Sequence, residues 1–124
     1  MIFIPQKKEL GKRGEDIAIK FLKEKGYKII ERNYRCPMGE VDVVAEDKET
    51  LVFVEVKTRT STNFGLPEEA ISYRKKQHLS RIASFYLIYH KIKEANCRFD
   101  VVSILMESDK IKDIHLIKNA FEAV

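Results

Sequence analysis

Apolar residues recur at helical spacing in two parts of the chain. The first helix is predicted from about Leu10 to Lys25, where Gly26 supplies a stop. Its apolar side carries Ile17, Ala18, Ile19, Phe21 and Leu22. The second is predicted from Pro67 to about His90, because a proline followed by two glutamates suits a helix N-terminus. Its inner stripe comprises Ile71, Lys75, His78, Ile82 and Tyr86.

Runs rich in β-branched and aromatic residues predict five strands. These strands are Tyr27–Arg35, Gly39–Ala45, Leu51–Lys57, Arg98–Met106 and Ile111–Ile117. The resulting order, αβββαββ, places strands between two helices and predicts an α/β domain with a mixed sheet. The sequence contains no internal repeat or linker, so residues 1–124 are expected to form a single domain.

Composition excludes several classes of protein. A chain with 44% hydrophobic residues is too apolar to be disordered. Its apolar runs are too short to span a membrane, and its first residues are too short for a signal-peptide core, so we expect a soluble cytoplasmic protein. Cys36 and Cys97 lack CxxC spacing and are expected to be reduced structural thiols. The three histidines form no ligand-spaced pair, and the sequence lacks GxGxxG, Walker and GxSxG motifs.

Charge is distributed unevenly along the chain. The net charges of residues 1–35, 36–57, 58–93 and 94–124 are +5, −4, +5 and −2. Basic segments around an acidic centre suit a protein that binds phosphates beside a cation-binding carboxylate cluster. A surface of mixed charge without such a role remains the alternative.

Five ionisable residues fall on predicted inner surfaces, where an unpaired charge is costly. They are Glu15, Asp42, Glu55, Lys57 and Lys75. A hairpin loop of residues 46–49 would pair Ala45 with Thr50 and place Asp42 opposite Phe53 and diagonal to Glu55. Diagonal neighbours on one face lie about 7–8 Å apart, so two carboxylates there can share one cation. An odd-length loop would send Asp42 to the other face.

Two carboxylates beside a lysine suit Mg²⁺ or Mn²⁺ and the hydrolysis of a phosphodiester. Lys57 lies two residues beyond Glu55 on the same face and is placed to hold the attacking water or offset developing charge. The spacing alone is weak evidence, because Glu46 and Lys48 repeat it in a polar turn. On pattern alone, a nuclease-type site and a structural ion pair between Glu55 and Lys57 both remain open.

Several separated motifs resemble a known family. GKRGEDIAIKFL, GYKIIERNYRCPMGEVDVVA, LVFVEVKTR, the FG of residues 64–65 and RFDVV occur in the order typical of the YraN-type family of uncharacterised bacterial proteins. The element order also resembles the PD-(D/E)xK nuclease superfamily, the restriction-endonuclease-like fold with its αβββαβ core. The superfamily name implies a proline directly before the first acid, and this chain has Val41 at that position.

The resemblance implies roles for individual residues. Asp42 and Glu55 resemble the two metal-ligating acids, with the backbone carbonyl of Val56 as a further ligand, and Lys57 resembles the catalytic lysine. Glu15 resembles the acid that the first helix of Holliday-junction resolvase relatives brings to the metal, and Lys75 the basic or amide residue of the second helix.

Further basic residues near this site are candidates for nucleic-acid binding. Arg59 and the loop up to Gly65 either contact phosphate or form a solvated loop. Arg74 and Lys76 flank Lys75 and either bind nucleic acid or belong to a solvated helix face. Asp100 is expected to pair with Arg98 or cap a strand end, rather than to bind metal.

The leading hypothesis from the sequence is a Mg²⁺- or Mn²⁺-dependent DNA endonuclease that acts on branched or damaged DNA. By analogy with the resolvases, it would be a homodimer. The first alternative is a non-catalytic nucleic-acid-binding or scaffold protein that retains the fold. The second is a protein-interaction module with a structural pair between Glu55 and Lys57.

Overall fold

The computed structural model describes residues 7–60 and 71–124, and these form two helices and five strands. The order αβββαββ predicted from the sequence is confirmed. The elements are α1 (Lys7–Glu24), β1 (Lys28–Cys36), β2 (Gly39–Asp47), β3 (Thr50–Arg59), α2 (Tyr73–Tyr89), β4 (Asn96–Glu107) and β5 (Lys110–Ile117).

The five strands form one mixed sheet in the order β1-β2-β3-β4-β5. Neighbouring strands are antiparallel except β3 and β4, which run parallel. A parallel pair needs a crossover connection, and α2 lies in the segment that joins β3 to β4. The structure therefore confirms the expected α/β architecture with a mixed sheet between helices.

The sheet separates two apolar cores. Helix α1 packs Ala18 and Leu22 against one face, where Val52 and Val54 of β3 lie. Helix α2 packs on the other face. Its buried residues there include Leu79, Ile82 and Tyr86, which meet Leu51 and Phe53 of β3. Because successive strand residues alternate between faces, the central strand is apolar on both sides until its carboxyl end.

Two glycines of the first helix region have different surroundings. Gly14 is buried, and a Cβ atom there would collide with the side chain of Thr58 on β3. Gly11 faces open space. Of Gly11 and Gly14, only Gly14 is therefore required by the close approach of a strand.

The glycine that ends α1 is Gly26, which has φ +92°. Just after it, the Tyr27 N–H donates to the Leu22 carbonyl at 3.0 Å.

Helix α2 begins later than the sequence predicts. Its first residue is Tyr73, and the Ser72 side chain caps it by accepting from the Lys75 N–H at 3.1 Å. The predicted start at Pro67 lies outside the described residues. Within the predicted inner stripe, Ile82 and Tyr86 are buried, but His78 is exposed, so its assignment to the buried side was wrong.

The β2–β3 hairpin has a different register from the predicted one. Asp47 pairs with Thr50 around a two-residue turn, and Ala45 pairs with Val52 instead of Thr50. The predicted position of Asp42 opposite Phe53 was therefore wrong, because the turn is two residues shorter. An even-length turn preserves the alternation of faces, and Asp42 and Glu55 are the residues next to the last observed pair, Val43 and Val54.

Two further observations concern the cysteines and the helices. Cys36 and Cys97 are both free thiols, as expected from their spacing. Neither helix of the described chain is long and apolar enough to cross a membrane.

Candidate functional site

The site lies where β2 separates from β3. The paired register of the two strands ends at Val43 and Val54. Beyond this point, the Val56 N–H donates its hydrogen bond to a side chain of β2 instead of a backbone carbonyl. The acceptor is Oδ2 of Asp42, at 2.8 Å. Val43 packs on the α1 side of the sheet and Val41 on the α2 side, so the regular alternation of β2 is broken between them at Asp42. Such irregularities re-aim a side chain, here toward the end of β3.

Glu55 is the second carboxylate of the site. It follows Phe53 on the α2 face of β3 and is only 6% exposed. Its Oε2 lies 3.3 Å from the Nζ of Lys75, which the first turn of α2 carries. The partner of Glu55 is thus Lys75, and the structural pair with Lys57 considered from the sequence is not formed.

In the described structure, the ammonium of Lys75 is the cation that acts on both carboxylates, Asp42 and Glu55. Burial and the nearby charge of Glu55 raise the pKa of Asp42 to about 6, and together these effects outweigh the opposing influence of the Val56 N–H and the Lys75 ammonium. A raised pKa means that the local environment disfavours the second negative charge. The pair would gain from a cation close to both carboxylates.

The donor set fits a hard divalent cation. Asp42 and Glu55 supply carboxylate oxygens, which Mg²⁺ and Mn²⁺ prefer. The N–H of Val56 points to the β2 side, and the carbonyl of a strand residue faces the same neighbour as its N–H. The Val56 carbonyl therefore faces the Asp42 side, as a ligand role requires. Among the described residues, no group of three or more Asp, Glu, His or Cys is placed to hold a metal ion.

Lys57 is half-buried and lies two residues beyond Glu55 on β3, so it projects to the same face. It forms no hydrogen bond or ion pair with another described residue, and its ammonium is available to a bound molecule. Arg59, the last residue of β3, is half-buried.

Glu15 lies one strand away from the carboxylate pair. Its Oε2 accepts from the Asn33 side chain at 3.3 Å, and Asn33 lies on β1. Arg32 pairs with Val43 and Tyr34 pairs with Val41, so the register places Asn33 beside Asp42. The structure thus brings Glu15 to the strand next to the site, in contact with Asn33.

Sequence reasoning missed Asn33. It has φ +51°, a conformation that Asn tolerates better than most residues. An Asn inside the strand sequence ERNYR is itself a signal, since Asn is depleted in strands and marks local irregularities.

The remaining basic candidates do not converge on the carboxylates. Arg74 is exposed and lines a separate cleft with His78 and Arg81. The Nζ of Lys76 lies over the ring of Phe121, 5.9 Å from its centroid. Of the three consecutive basic residues of α2, Lys75 alone is paired with a site carboxylate in the described structure.

A second charged cluster, also missed from the sequence as a group, lies near the β2–β3 turn. Arg98 donates to Asp100 at 2.8 Å and to Asp47 at 2.9 Å. Asp100 also accepts from the Tyr27 hydroxyl at 2.7 Å and from the Asn119 N–H at 3.0 Å. The expected pairing of Asp100 with Arg98 is therefore confirmed, and every charge in this cluster has a direct partner.

Comparison with known proteins identifies the family. A protein of Caldicellulosiruptor saccharolyticus is 51% identical over 116 residues, covering 93% of this chain and 98% of that protein. Relatives from Caldanaerobacter subterraneus subsp. tengcongensis and Syntrophus aciditrophicus are 44% and 46% identical, covering 93% and 98% of this chain and 96% of each relative. All three carry the description UPF0102 protein. Residues 14–104 match the model of the same family. The chain belongs to the uncharacterised protein family UPF0102.

Proposed function

We propose that this protein is a divalent-metal-dependent endonuclease that hydrolyses phosphodiester bonds of DNA. The observation that carries the proposal is the pair of carboxylates, half-buried Asp42 and buried Glu55, at the point where two strands separate. Burying two like charges is unfavourable unless a cation compensates them. Lys75 supplies one positive charge, which leaves the pair suited to a divalent ion.

The residues divide the proposed work between them. Asp42, Glu55 and the Val56 carbonyl would hold Mg²⁺ or Mn²⁺, and Glu15 is proposed to reach the same ion through its position over Asn33. When bound, the ion supplies positive charge opposite the phosphoryl oxygen, where negative charge grows during hydrolysis.

Two lysines complete the proposed machinery. Lys57 is proposed to donate a hydrogen bond to the attacking water or to a phosphoryl oxygen, because its ammonium is not engaged by another described side chain. Lys75 orients Glu55 through their 3.3 Å contact and adds positive charge beside the scissile phosphate.

Nucleic acid is the substrate class that the charge distribution supports. The segments before and after the acidic centre carry net charges of +5 each, and phosphodiester backbones are bound mainly through such charge. Arg59, Arg74 and Lys76 belong to the proposed binding surface. Branched or damaged DNA as the substrate, and a homodimer as the active form, are finer proposals that rest on the resemblance to resolvases.

One observation favours a second candidate function. Because no third acidic group joins Asp42 and Glu55 in the described residues, a nucleic-acid-binding protein with a non-catalytic site is the alternative. The two functions differ in turnover, since only the endonuclease loses cleavage while keeping DNA affinity when Asp42 is replaced.

The test is cleavage of labelled single-stranded, duplex, flap and four-way-junction DNA, and of RNA, with Mg²⁺, Mn²⁺ or EDTA. Wild type should cut at least one DNA substrate with metal only. Asp42→Asn should lose this activity, and Lys57→Ala should lower it about 10²- to 10³-fold, the usual effect of removing one stabilising donor. Asp113→Asn, in an exposed pair with His115, is the control and should remain active. DNA binding without cleavage by folded, metal-supplied wild type would select the alternative.

A further inference from the structure

A cleft of about 360 Å³ lies between α2 and the turn that joins β1 to β2. It is separate from the carboxylate pair and is lined by Pro37, Met38, Arg74, Gln77, His78 and Arg81. Only Arg74 among these residues was a candidate from the sequence.

The polar side of the cleft carries two guanidinium groups that suit an anion. Arg74 and Arg81 are seven residues apart on α2, so they share one helix face, with Gln77 between them. Neither guanidinium forms an ion pair or hydrogen bond with another described residue. The described lining residues include no Asp or Glu, and guanidinium groups match the oxygens of a phosphate.

A glycine brings the strand that carries Asp42 close to the cleft. Gly39 has φ +133°, and a Cβ atom there would collide with the His78 ring, so the start of β2 packs directly on α2. Asp42 lies three residues farther along β2, about 10 Å at the rise of an extended strand. A separation of this order lets one DNA strand contact both places with phosphates that are close in sequence.

We propose that this cleft binds a backbone phosphate of the DNA strand whose scissile phosphodiester lies at Asp42 and Glu55. This inference rests on the proposed function and adds a subsite to it. Arg74 and Arg81 donate to the phosphate oxygens, and Gln77 and His78 line the same wall. Met38, which is 42% exposed, offers an apolar surface to the adjoining sugar.

The test is fluorescence anisotropy of a labelled DNA duplex in EDTA at several salt concentrations, so that binding is measured without cleavage. Each lost phosphate contact should lower the slope of log affinity against log salt by about 0.9 and weaken binding about eightfold near 0.1 M salt. Arg74→Gln and Arg81→Gln should each show this loss. Lys110→Gln removes one exposed positive charge from the edge strand β5 and should keep the wild-type slope.

The outcomes separate the subsite from the proposed function. DNA binding by wild type with equal slopes for Arg74→Gln, Arg81→Gln and Lys110→Gln would overturn the subsite and leave the nuclease proposal standing. Absence of DNA binding by folded wild type at low salt would overturn both. In a parallel arm, inorganic phosphate is titrated against chloride at matched ionic strength. Tight phosphate binding that the two arginine variants lose, without their effect on DNA, would assign the cleft to a free phosphate and overturn the proposal.

Discussion

Strand β2 contributes one acid to each of two acidic clusters that differ in how their charge is balanced. Near the β2–β3 turn, Asp47 and Asp100 share the guanidinium of Arg98, which hydrogen-bonds to both. About 17 Å along the strand, Asp42 and Glu55 share the ammonium of Lys75, which contacts Glu55. Each cluster therefore has two carboxylates and one principal cation.

The pKa values express the difference. Hydrogen bonding to Arg98 holds the pKa of Asp47 below its usual range, whereas burial and Glu55 raise that of Asp42 to about 6. The planar guanidinium bonds to both acids and Lys75 to one, so charge is satisfied in the first cluster and left in excess in the second. A balanced buried cluster is typical of structural roles, and an unbalanced one of sites that bind or react.

The largest expected effect is on the balanced cluster. Asp100→Ala leaves Arg98, which is 19% exposed, and the Tyr27 hydroxyl without a main partner, and should lower the free energy of unfolding by about 3–5 kcal/mol. Urea unfolding at pH 7 measures this loss. Asp113→Ala breaks an exposed pair with His115 and should change stability by less than about 0.5 kcal/mol. Similar losses in the two variants would contradict the structural role of the first cluster.

The next effect concerns the unbalanced cluster and a metal ion. At a Mg²⁺ concentration one hundred times its Kd, binding to the folded state should stabilise wild type by about 2.7 kcal/mol. Differential scanning calorimetry with Mg²⁺ and with EDTA measures the gain. Asp42→Asn and Glu55→Gln should lose it.

Asp47→Asn is the matched control, because this carboxylate lies on the same strand but is engaged by Arg98. Mg²⁺ should stabilise Asp47→Asn as much as it stabilises the wild type. A gain that depended on Asp47 and not on Asp42 would reverse the assignment of the two clusters.

A smaller effect follows from the raised pKa of Asp42. Between its unfolded value of 3.8 and about 6, the folded state binds the extra proton, so stability falls as pH rises through this window. Without metal, Asp42→Asn should therefore be more stable than wild type by about 1–2 kcal/mol at pH 7.5, and this advantage should disappear near pH 3.5. Urea midpoints at both pH values measure it. If the stability advantage of Asp42→Asn grew toward low pH, the pKa of Asp42 would be lowered by folding and not raised.

The fold was predictable because the core residues follow simple periodicities. Val52 and Val54 on one face, and Leu51 and Phe53 on the other, alternate in the sequence as they do in the sheet. The start of α2 was harder to predict, since Pro67 satisfies the same local preferences as the Ser72 cap that is observed.

The site was predictable in part. Asp42 and Glu55 stand out because they interrupt apolar strands, and parity alone places them on a common side. The hairpin register was not determined by parity, because turns of two and four residues preserve it equally. The pairing of Glu55 with Lys75 depends on how α2 docks on the sheet, which local spacing does not encode.

The smallest effect tests how weakly Lys75 compensates its cluster. Lys75→Gln removes the ammonium that lies 3.3 Å from Glu55 and should raise the pKa of Asp42 further, since Lys75 lowers it in the wild type. An NMR titration of the Asp42 carboxyl carbon measures this shift. Lys118→Gln removes the cation 3.5 Å from Asp47 and should leave the Asp42 titration unchanged. An unchanged Asp42 titration in Lys75→Gln would contradict this prediction. It would mean that Lys75 compensates the charge of Glu55 alone and leaves that of Asp42 uncompensated.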